Sequence, residues 1–276
     1  MSTRLRWIAQ RTQEIVEQGA YDTSEGRTVT ISAAVQAARA GTRVYGPGPV
    51  ETPPVRPVTT AFGVTGESSL EAARRLLDRS GEPVAVLNFA SARNPGGGFL
   101  NGAQAQEESL CRASALYACV REVREFYDHH RTDPDVFYTD RVIHSPAVPV
   151  FRDDRGRLLE APYRVGFLTA AAPNAGVVLR RTPERAAELP RALAARAERV
   201  LETAAACGYR RLVLGAWGCG VFRNEPAQVA GAFHGLLVGG RFEGVFDEVV
   251  FAVLDRTSAA TTRSAFERAF ADVGAA

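Results

Sequence analysis

A run of three glycines, Gly96, Gly97 and Gly98, precedes two adjacent carboxylates, Glu107 and Glu108, and these residues suggest chemistry most directly. Glycine lets the backbone take positive φ angles and approach a ligand closely, because no Cβ is in the way. The apolar run before the glycines indicates a buried strand, and the carboxylates open a helical pattern. A helix N-terminus holds anions, and a carboxylate beside it can act as a general acid or base. This stretch therefore predicts a ligand site that also carries an acid–base group.

A second glycine loop follows another apolar run, at 212–215, and leads into a further helix. Gly218 and Gly220 would let successive backbone N–H groups face inward, which suits a diphosphate. Phe222 is placed to pack on a sugar or a base, although a core position is equally expected. Cys219 is expected to fill space, since no histidine lies near it in sequence to activate the thiol. Neither loop matches a Walker A motif or fits the dinucleotide fingerprint cleanly.

The elements that must position these loops alternate between strands and helices from residue 58 onwards. This alternation favours a mixed or parallel sheet that is covered by helices on both faces. Because the carboxyl ends of such strands line a ligand crevice, we expect both glycine loops to border it. Strands are predicted at 58–62, 83–88, 142–144, 148–151, 163–169, 212–215 and 248–254, and helices at 68–79, 105–127, 183–206, 225–238 and 259–272.

The N-terminal part of the chain is set off by five prolines and two glycines between residues 46 and 57. Prolines supply neither ladder nor helix donors, so this segment predicts a linker. We place a boundary near residue 55, with an extension at 1–55 and the main domain at 56–276. The extension is expected to hold helices at 4–18 and 33–40 and a strand at 27–32.

The composition limits the classes of partner. A net charge of +2 gives no electrostatic case for non-specific nucleic-acid binding, although all 33 basic residues are arginine. The four cysteines and four histidines lack zinc-ligand spacing, and the cysteines are interpreted as reduced thiols. No carboxylate and histidine cluster has ligand spacing, so no metal is expected, and no cofactor is expected either. No signal peptide or membrane span is visible in the pattern. A cytoplasmic protein without a membrane partner or sequence-specific nucleic acid is therefore predicted.

The segments NPGGG, QEE and GAWGCGVF, taken together, resemble the bacterial-type poly(ADP-ribose) glycohydrolases. These are macrodomain-fold enzymes in which six to eight residues separate GGG from QEE, and here the residues between Gly98 and Gln106 number seven. The resemblance covers roughly residues 58–256. It implies a macrodomain-like, three-layer α/β/α catalytic domain with a mixed central sheet, preceded by a mainly helical extension.

The resemblance also implies a reaction, the hydrolysis of ribose–ribose O-glycosidic bonds at the end of poly(ADP-ribose), which releases ADP-ribose. Adjacent helical residues diverge, so Glu107 and Glu108 are not expected to straddle one bond as the paired carboxylates of many glycosidases do. In the family the second glutamate is the acid/base, here Glu108, and Glu107 would hydrogen-bond the ribose hydroxyls. To donate a proton near neutral pH, Glu108 needs desolvation or a neighbouring carboxylate to oppose the helix N-terminus.

The expected substrates are poly(ADP-ribose) and ADP-ribosylated proteins. Two alternatives stay open, a non-catalytic ADP-ribose-binding macrodomain and a hydrolase of mono-ADP-ribosyl groups. Binding alone has no use for carboxylates at the ribose, so QEE favours an enzyme. The candidate site comprises catalytic Glu107 and Glu108 and substrate-binding Ser91, Asn94, Gly96, Gly97, Gly98, Gln106, Gly218, Cys219, Gly220, Val221 and Phe222.

Overall fold

The computed structural model of the chain describes residues 2–257 and 259–273, and its centre is a seven-stranded mixed sheet. In the order β3-β6-β7-β5-β8-β9-β4, the five strands from β7 to β4 run parallel, and β6 lies antiparallel to both of its neighbours. The strands are β1 (Ala20–Asp22), β2 (Thr28–Thr30), β3 (Arg43–Tyr45), β4 (Ala61–Thr65), β5 (Val84–Phe89), β6 (Val142–Arg152), β7 (Leu158–Ala170), β8 (Arg211–Leu214) and β9 (Glu248–Ala252), of which β1 and β2 form a separate ribbon.

Helices cover both faces of this sheet, which confirms the three-layer α/β/α prediction. They are α1 (Thr3–Gln18), α2 (Ser32–Gly41), α3 (Ser69–Ser80), α4 (Gln106–Ala113), α5 (Leu116–Val120), α6 (Arg124–Thr132), α7 (Ala175–Arg181), α8 (Leu189–Ala206), α9 (Pro226–Leu237) and α10 (Thr261–Ala269), with 3₁₀ turns at Phe99–Asn101 and Pro183–Glu188. No helix within residues 2–257 and 259–273 is long and apolar enough to cross a membrane.

The central strand β5 shows why the layers form. Alternate side chains of a strand point to opposite faces of its sheet. Val84 and Val86 join the core beneath α3 and α4, whereas Ala85 and Leu87 join the core beneath α8 and α9. Because β5 is buried on both faces, its residues 84–87 are continuously apolar instead of alternating.

The helix expected at 105–127 is three helices in the structure, α4, α5 and α6. The first break falls at Ser114, whose backbone is extended and forms an isolated β-bridge with Val150. Its hydroxyl donates to Leu110 O and accepts from Leu116 N, so it closes one helix and opens the next. The prediction of a single helix was therefore wrong, because a long-range pairing competes with the helical periodicity.

The two short strands expected at 142–144 and 148–151 are one strand, β6, with an irregularity inside it. The pairing with β7 shifts register between Ser145 and Val148, where Ala147 takes a φ of 46°. Pro146 cannot donate to the ladder and is tolerated at such a bulge. The apolar pattern stops at the bulge, although the strand continues through it.

Residues before the proline-rich linker supply α1, α2 and the β1–β2 ribbon, and also β3, which pairs with β6 in the central sheet. The sequence pattern did not indicate β3, and the first strand of the main domain begins at Ala61, later than expected. The helix expected at 68–79 is confirmed as α3, with Ser68 and Glu71 forming a reciprocal capping box. The division into two domains near residue 55 stays a prediction.

Candidate active site

The first glycine loop leaves the carboxyl end of β5 and returns over the N-terminus of α4. Gly96 and Gly97 have φ angles of 67° and 58°, which L side chains rarely adopt. A Cβ on Gly97 would lie 2.5 Å from Glu108 Oε1 and 3.1 Å from Glu107 Oε2. Both the backbone conformation and the carboxylates therefore require glycine at this position.

Glu108 is anchored by backbone amides on both of its oxygens. Its Oε1 accepts from Gly98 N at 2.8 Å, and its Oε2 accepts from Ala105 N at 2.8 Å. The side chain is 7% exposed and lines the cleft. Because each carboxylate oxygen has two lone pairs, a ligand can still bond to Glu108 beside these anchors.

Glu107 is buried more deeply, at 2% exposure, between the end of β5 and the loop that follows it. Its Oε1 accepts from Asn88 Nδ2 at 3.2 Å, and its Oε2 accepts from Ser91 N at 2.7 Å. Both carboxylates thus border Gly97, so the divergence expected of neighbouring helical residues is incomplete. The loop folds back over the first turn of α4 and meets both side chains.

Burial raises the pKa of Glu107 to about 8, and the charge of Glu108 adds to this rise. The hydrogen bonds from Ser91 and Asn88 oppose it but are outweighed. The structure thus gives a raised pKa to Glu107, a residue for which the sequence predicted only hydrogen bonds to the ribose hydroxyls. A buried acid that keeps its proton near neutral pH is a feature of catalytic sites.

Gln106, the first residue of QEE, ties α4 to the sheet. Its Oε1 accepts from Phe89 N at 2.9 Å, and its Nε2 donates to Leu87 O at 2.8 Å and Ser69 Oγ at 3.1 Å. The side-chain amide therefore fixes the position of the first turn of α4, which carries the two glutamates. Its contact with substrate stays a prediction.

The second glycine loop rests on buried side chains. Trp217 lies beneath it, buried, and donates from Nε1 to Ala170 O at 3.0 Å. Gly218 has a φ of 73°, and a Cβ there would lie 2.7 Å from Ala172 Cβ. Burial raises the pKa of Cys219 to about 12, which makes its thiol a poor nucleophile.

Asn224 closes this loop, and sequence reasoning missed it. Its Nδ2 donates to Pro173 O at 2.9 Å, and its backbone N–H donates to Gly218 O at 3.0 Å. Arg223, the residue before it, has a φ of 57°, so the chain reverses there. The only signal was an asparagine at the end of a glycine loop, where its side chain can replace backbone hydrogen bonds.

One cleft of about 1470 Å³ brings the two loops together at the carboxyl ends of the parallel strands. Gly96 packs instead against Tyr117 and Cys111, and Val221 is 80% exposed at the rim. Among the described residues no group of three or more His, Cys, Asp or Glu side chains could hold a metal ion. The candidate residues that line the cleft are Ser91, Asn94, Gly97, Gly98, Gln106, Glu107, Glu108, Gly218, Cys219, Gly220, Val221 and Phe222.

The chain matches a family model described as the catalytic domain of microbial-type PARG over residues 9–153. Poly(ADP-ribose) glycohydrolase (PARG) from Thermomonospora curvata is 51% identical, with a TM-score of 0.91 and coverage of 98% of this chain and 100% of that one. The same enzyme bound to the inhibitor ADP-HPD is 51% identical, with a TM-score of 0.89 and coverage of 97% and 99%. The Deinococcus radiodurans enzyme in complex with ADP-ribose is 45% identical, with a TM-score of 0.78 and coverage of 86% and 96%. No curated protein matches significantly.

The fold and the site define a macrodomain-like protein with two buried carboxylates in a cleft at the carboxyl ends of its parallel strands. With half of its residues identical to a solved bacterial enzyme over nearly its full length, the chain belongs to the microbial-type poly(ADP-ribose) glycohydrolase family. The family resemblance of the two glycine motifs is thereby confirmed.

Proposed function

We propose that the protein is a poly(ADP-ribose) glycohydrolase that cuts the ribose–ribose O-glycosidic bond at the polymer end and releases ADP-ribose. The observation that carries this proposal is the placement of two buried carboxylates against one glycine of a nucleotide-sized cleft. Solved relatives with about half of their residues in common are named for this activity, and one of them contains ADP-ribose.

In the proposed mechanism, Glu108 handles the proton at the scissile bond. It protonates the departing 2′-oxygen as an oxocarbenium-like ribosyl centre forms, and the resulting carboxylate then takes a proton from the attacking water. Both oxygens of Glu108 are held by backbone amides, so the side chain keeps its position through both steps. The proposed step requires the 1″-carbon of the terminal ribose to lie beside the Glu108 carboxylate.

Glu107 supports this step from the preceding position of α4. With a pKa raised to about 8, its carboxyl retains a proton near neutral pH. Burial of Glu107 supplies that proton, and its anchors, Asn88 and the Ser91 amide, keep it beside the ribose hydroxyls. Ser91 and Asn94 are placed on the same loop and line the same end of the cleft.

The second glycine loop is proposed to hold the diphosphate. Gly220 has open space where a Cβ would stand, so the backbone there can approach a phosphate closely. Phe222 lines the cleft beside it and can pack on the terminal sugar. No metal or cofactor takes part in the proposed reaction.

Polymer attached to ADP-ribosylated proteins is the proposed natural substrate, and the cytoplasm the proposed location. All four cysteines, Cys111, Cys119, Cys207 and Cys219, are free in the structure, which fits a reducing compartment. A reader of ADP-ribose and a hydrolase of mono-ADP-ribosyl groups are the competing functions. Neither explains the acid–base pair and the polymer-cleaving relatives together.

Product analysis separates these functions. Wild type, Glu108→Gln and the exposed control Glu82→Gln are incubated with poly(ADP-ribose) and with a mono-ADP-ribosylated protein. We expect free ADP-ribose from polymer with wild type and control, and a loss of at least about 100-fold in kcat with Glu108→Gln. ADP-ribose binding, measured by calorimetry, should survive in the variant. Full activity of Glu108→Gln, or release only from the mono-modified substrate, would overturn the proposal.

A further inference from the structure

The cleft continues beyond the two glutamates, past Ser109 and along α4, to the turn between β6 and β7 and to α1. Four arginines from separate parts of the sequence line this continuation: Arg4, Arg112, Arg152 and Arg155. We call it the arginine groove. None of these four residues takes part in the proposed chemistry, so the proposed reaction assigns them no ligand.

Arg112 is buried in the wall of the groove, at 8% exposure. Its guanidinium donates from Nη1 to Ala103 O at 2.6 Å and from Nη2 to Ser109 Oγ at 3.0 Å, both neutral acceptors. Burial lowers its pKa, and the charge of Glu108 opposes this effect. Within the part of the chain that the structure describes, it forms no ion pair with a carboxylate.

Arg152 repeats this pattern at the other end of the groove, at 5% exposure. It donates from Nε to Thr12 Oγ1 at 3.1 Å and from Nη1 to Gly156 O at 3.0 Å, again to neutral oxygens. Burial lowers its pKa to about 10, so the guanidinium is still charged at neutral pH. No carboxylate of the described residues pairs with it either. Neutral oxygens hold both guanidinium groups, and the charge of Glu108 does not outweigh the burial of Arg112, so this wall of the groove favours an anionic ligand.

Two exposed arginines extend the positive surface to the rim. Arg4 donates from Nη2 to Arg155 O at 2.9 Å, which places both at the mouth of the groove. The acidic residues nearby do not cancel this charge. Asp153 is already bound by Arg157, with Nε to Oδ2 at 2.7 Å, and Asp154 is a single exposed carboxylate.

We propose that the arginine groove binds the diphosphate of a second ADP-ribose unit of the same polymer, while the terminal unit occupies the cleft between the two glycine loops. Guanidinium groups match phosphate oxygens in geometry and charge, which explains four arginines here. Each unit of the polymer carries its own diphosphate, so a groove continuous with the catalytic cleft meets another one. The proposal rests on the proposed function and extends it to recognition of polymer over free nucleotide.

The test uses the two exposed arginines, because the buried pair could be needed for folding. The variant Arg4→Gln/Arg155→Gln is compared with Arg180→Gln/Arg181→Gln, which removes two exposed arginines of α7 outside the cleft and changes the net charge equally. KM and kcat are measured with poly(ADP-ribose), and the inhibition constant is measured with free ADP-ribose. Losing two exposed arginine–phosphate contacts should raise the polymer KM about fivefold. The inhibition constant of ADP-ribose should stay at the control value, and the rise in KM should shrink at high salt.

An unchanged polymer KM in Arg4→Gln/Arg155→Gln would overturn the inference. A rise in the inhibition constant of ADP-ribose as large as the rise in polymer KM would also overturn it, because these arginines would then contact the terminal unit. If wild type does not hydrolyse polymer, the proposed function fails, and the groove is then tested by polymer binding in a filter assay. Weaker binding by the variant than by the control supports the groove. Equal binding, or none by wild type, overturns it.

Discussion

Replacing Glu107 with glutamine should change how the stability of the protein depends on pH. Burial raises the pKa of this carboxyl from 4.5 to about 8 in the folded chain. Between these two values the folded state holds a proton that the unfolded state has released. The stability of wild type must therefore fall as pH rises through this window and level off above about pH 8.

Within this window the folded state holds one more proton than the unfolded state, so the free energy of unfolding falls by about 1.4 kcal/mol per pH unit. Across the window this amounts to about 5 kcal/mol as an upper limit, a large part of the stability of an ordinary domain. Glu107→Gln removes the ionisation, but both oxygens of Glu107 accept hydrogen bonds and a glutamine amide has only one acceptor. Its NH2 group must face Asn88 Nδ2 or Ser91 N, which costs about 1–3 kcal/mol at every pH. The variant should thus be less stable than wild type near pH 5 and as stable or more stable at pH 8.

Urea unfolding at pH 5.5, 6.5, 7.5 and 8.5 measures this dependence, with the exposed Glu82→Gln as the control. Wild type and control should lose stability steadily up to about pH 8, and Glu107→Gln should show a flatter profile. Parallel profiles for wild type and Glu107→Gln would refute the reasoning, because they would mean that Glu107 ionises normally in the folded protein.

Three further substitutions test the loops. Gly97→Ala should abolish polymer hydrolysis, because its Cβ would fall 2.5 Å from Glu108 Oε1 at a φ of 58°; wild-type kcat would contradict this. Asn224→Ala should cost about 1–3 kcal/mol of unfolding free energy and weaken ADP-ribose binding by calorimetry more than it lowers kcat, since it removes the hydrogen bonds from Nδ2 to Pro173 O and Gly218 O. Cys219→Ala should keep kcat within about twofold, because a thiol with a pKa of about 12 is not a nucleophile; a large loss would assign it a role in the reaction.

The sequence predicted the elements that are determined by residues close to each other along the chain. The double-sided burial of β5 appears as an unbroken apolar run, and the start of α3 appears as a serine followed by a glutamate. The glycine loop and QEE are only seven residues apart in sequence, so their proximity at α4 also follows from local order. The two glycine loops were expected in one crevice because both follow parallel strands, and the cleft confirms this.

Features that depend on distant partners escaped the sequence. The break at Ser114 requires its bridge to Val150, and the bulge at Ala147 requires the register of β7. The raised pKa of Glu107 depends on tertiary packing that excludes water from its carboxyl, and the neighbouring residues in sequence do not indicate this packing. Arg112 and Arg152 look like ordinary surface arginines until the fold buries them in one groove.

The central claim is that the cleft delivers the 1″-carbon of a terminal ribose to Glu108. A crystal structure of the wild-type protein with ADP-ribose tests it most directly. We predict that the 1″-hydroxyl lies within hydrogen-bond reach of the Glu108 carboxylate, directly or through one water, with the diphosphate between the two glycine loops. A nucleotide bound with its terminal ribose beyond the reach of Glu108 would contradict the account and leave the protein a binding module.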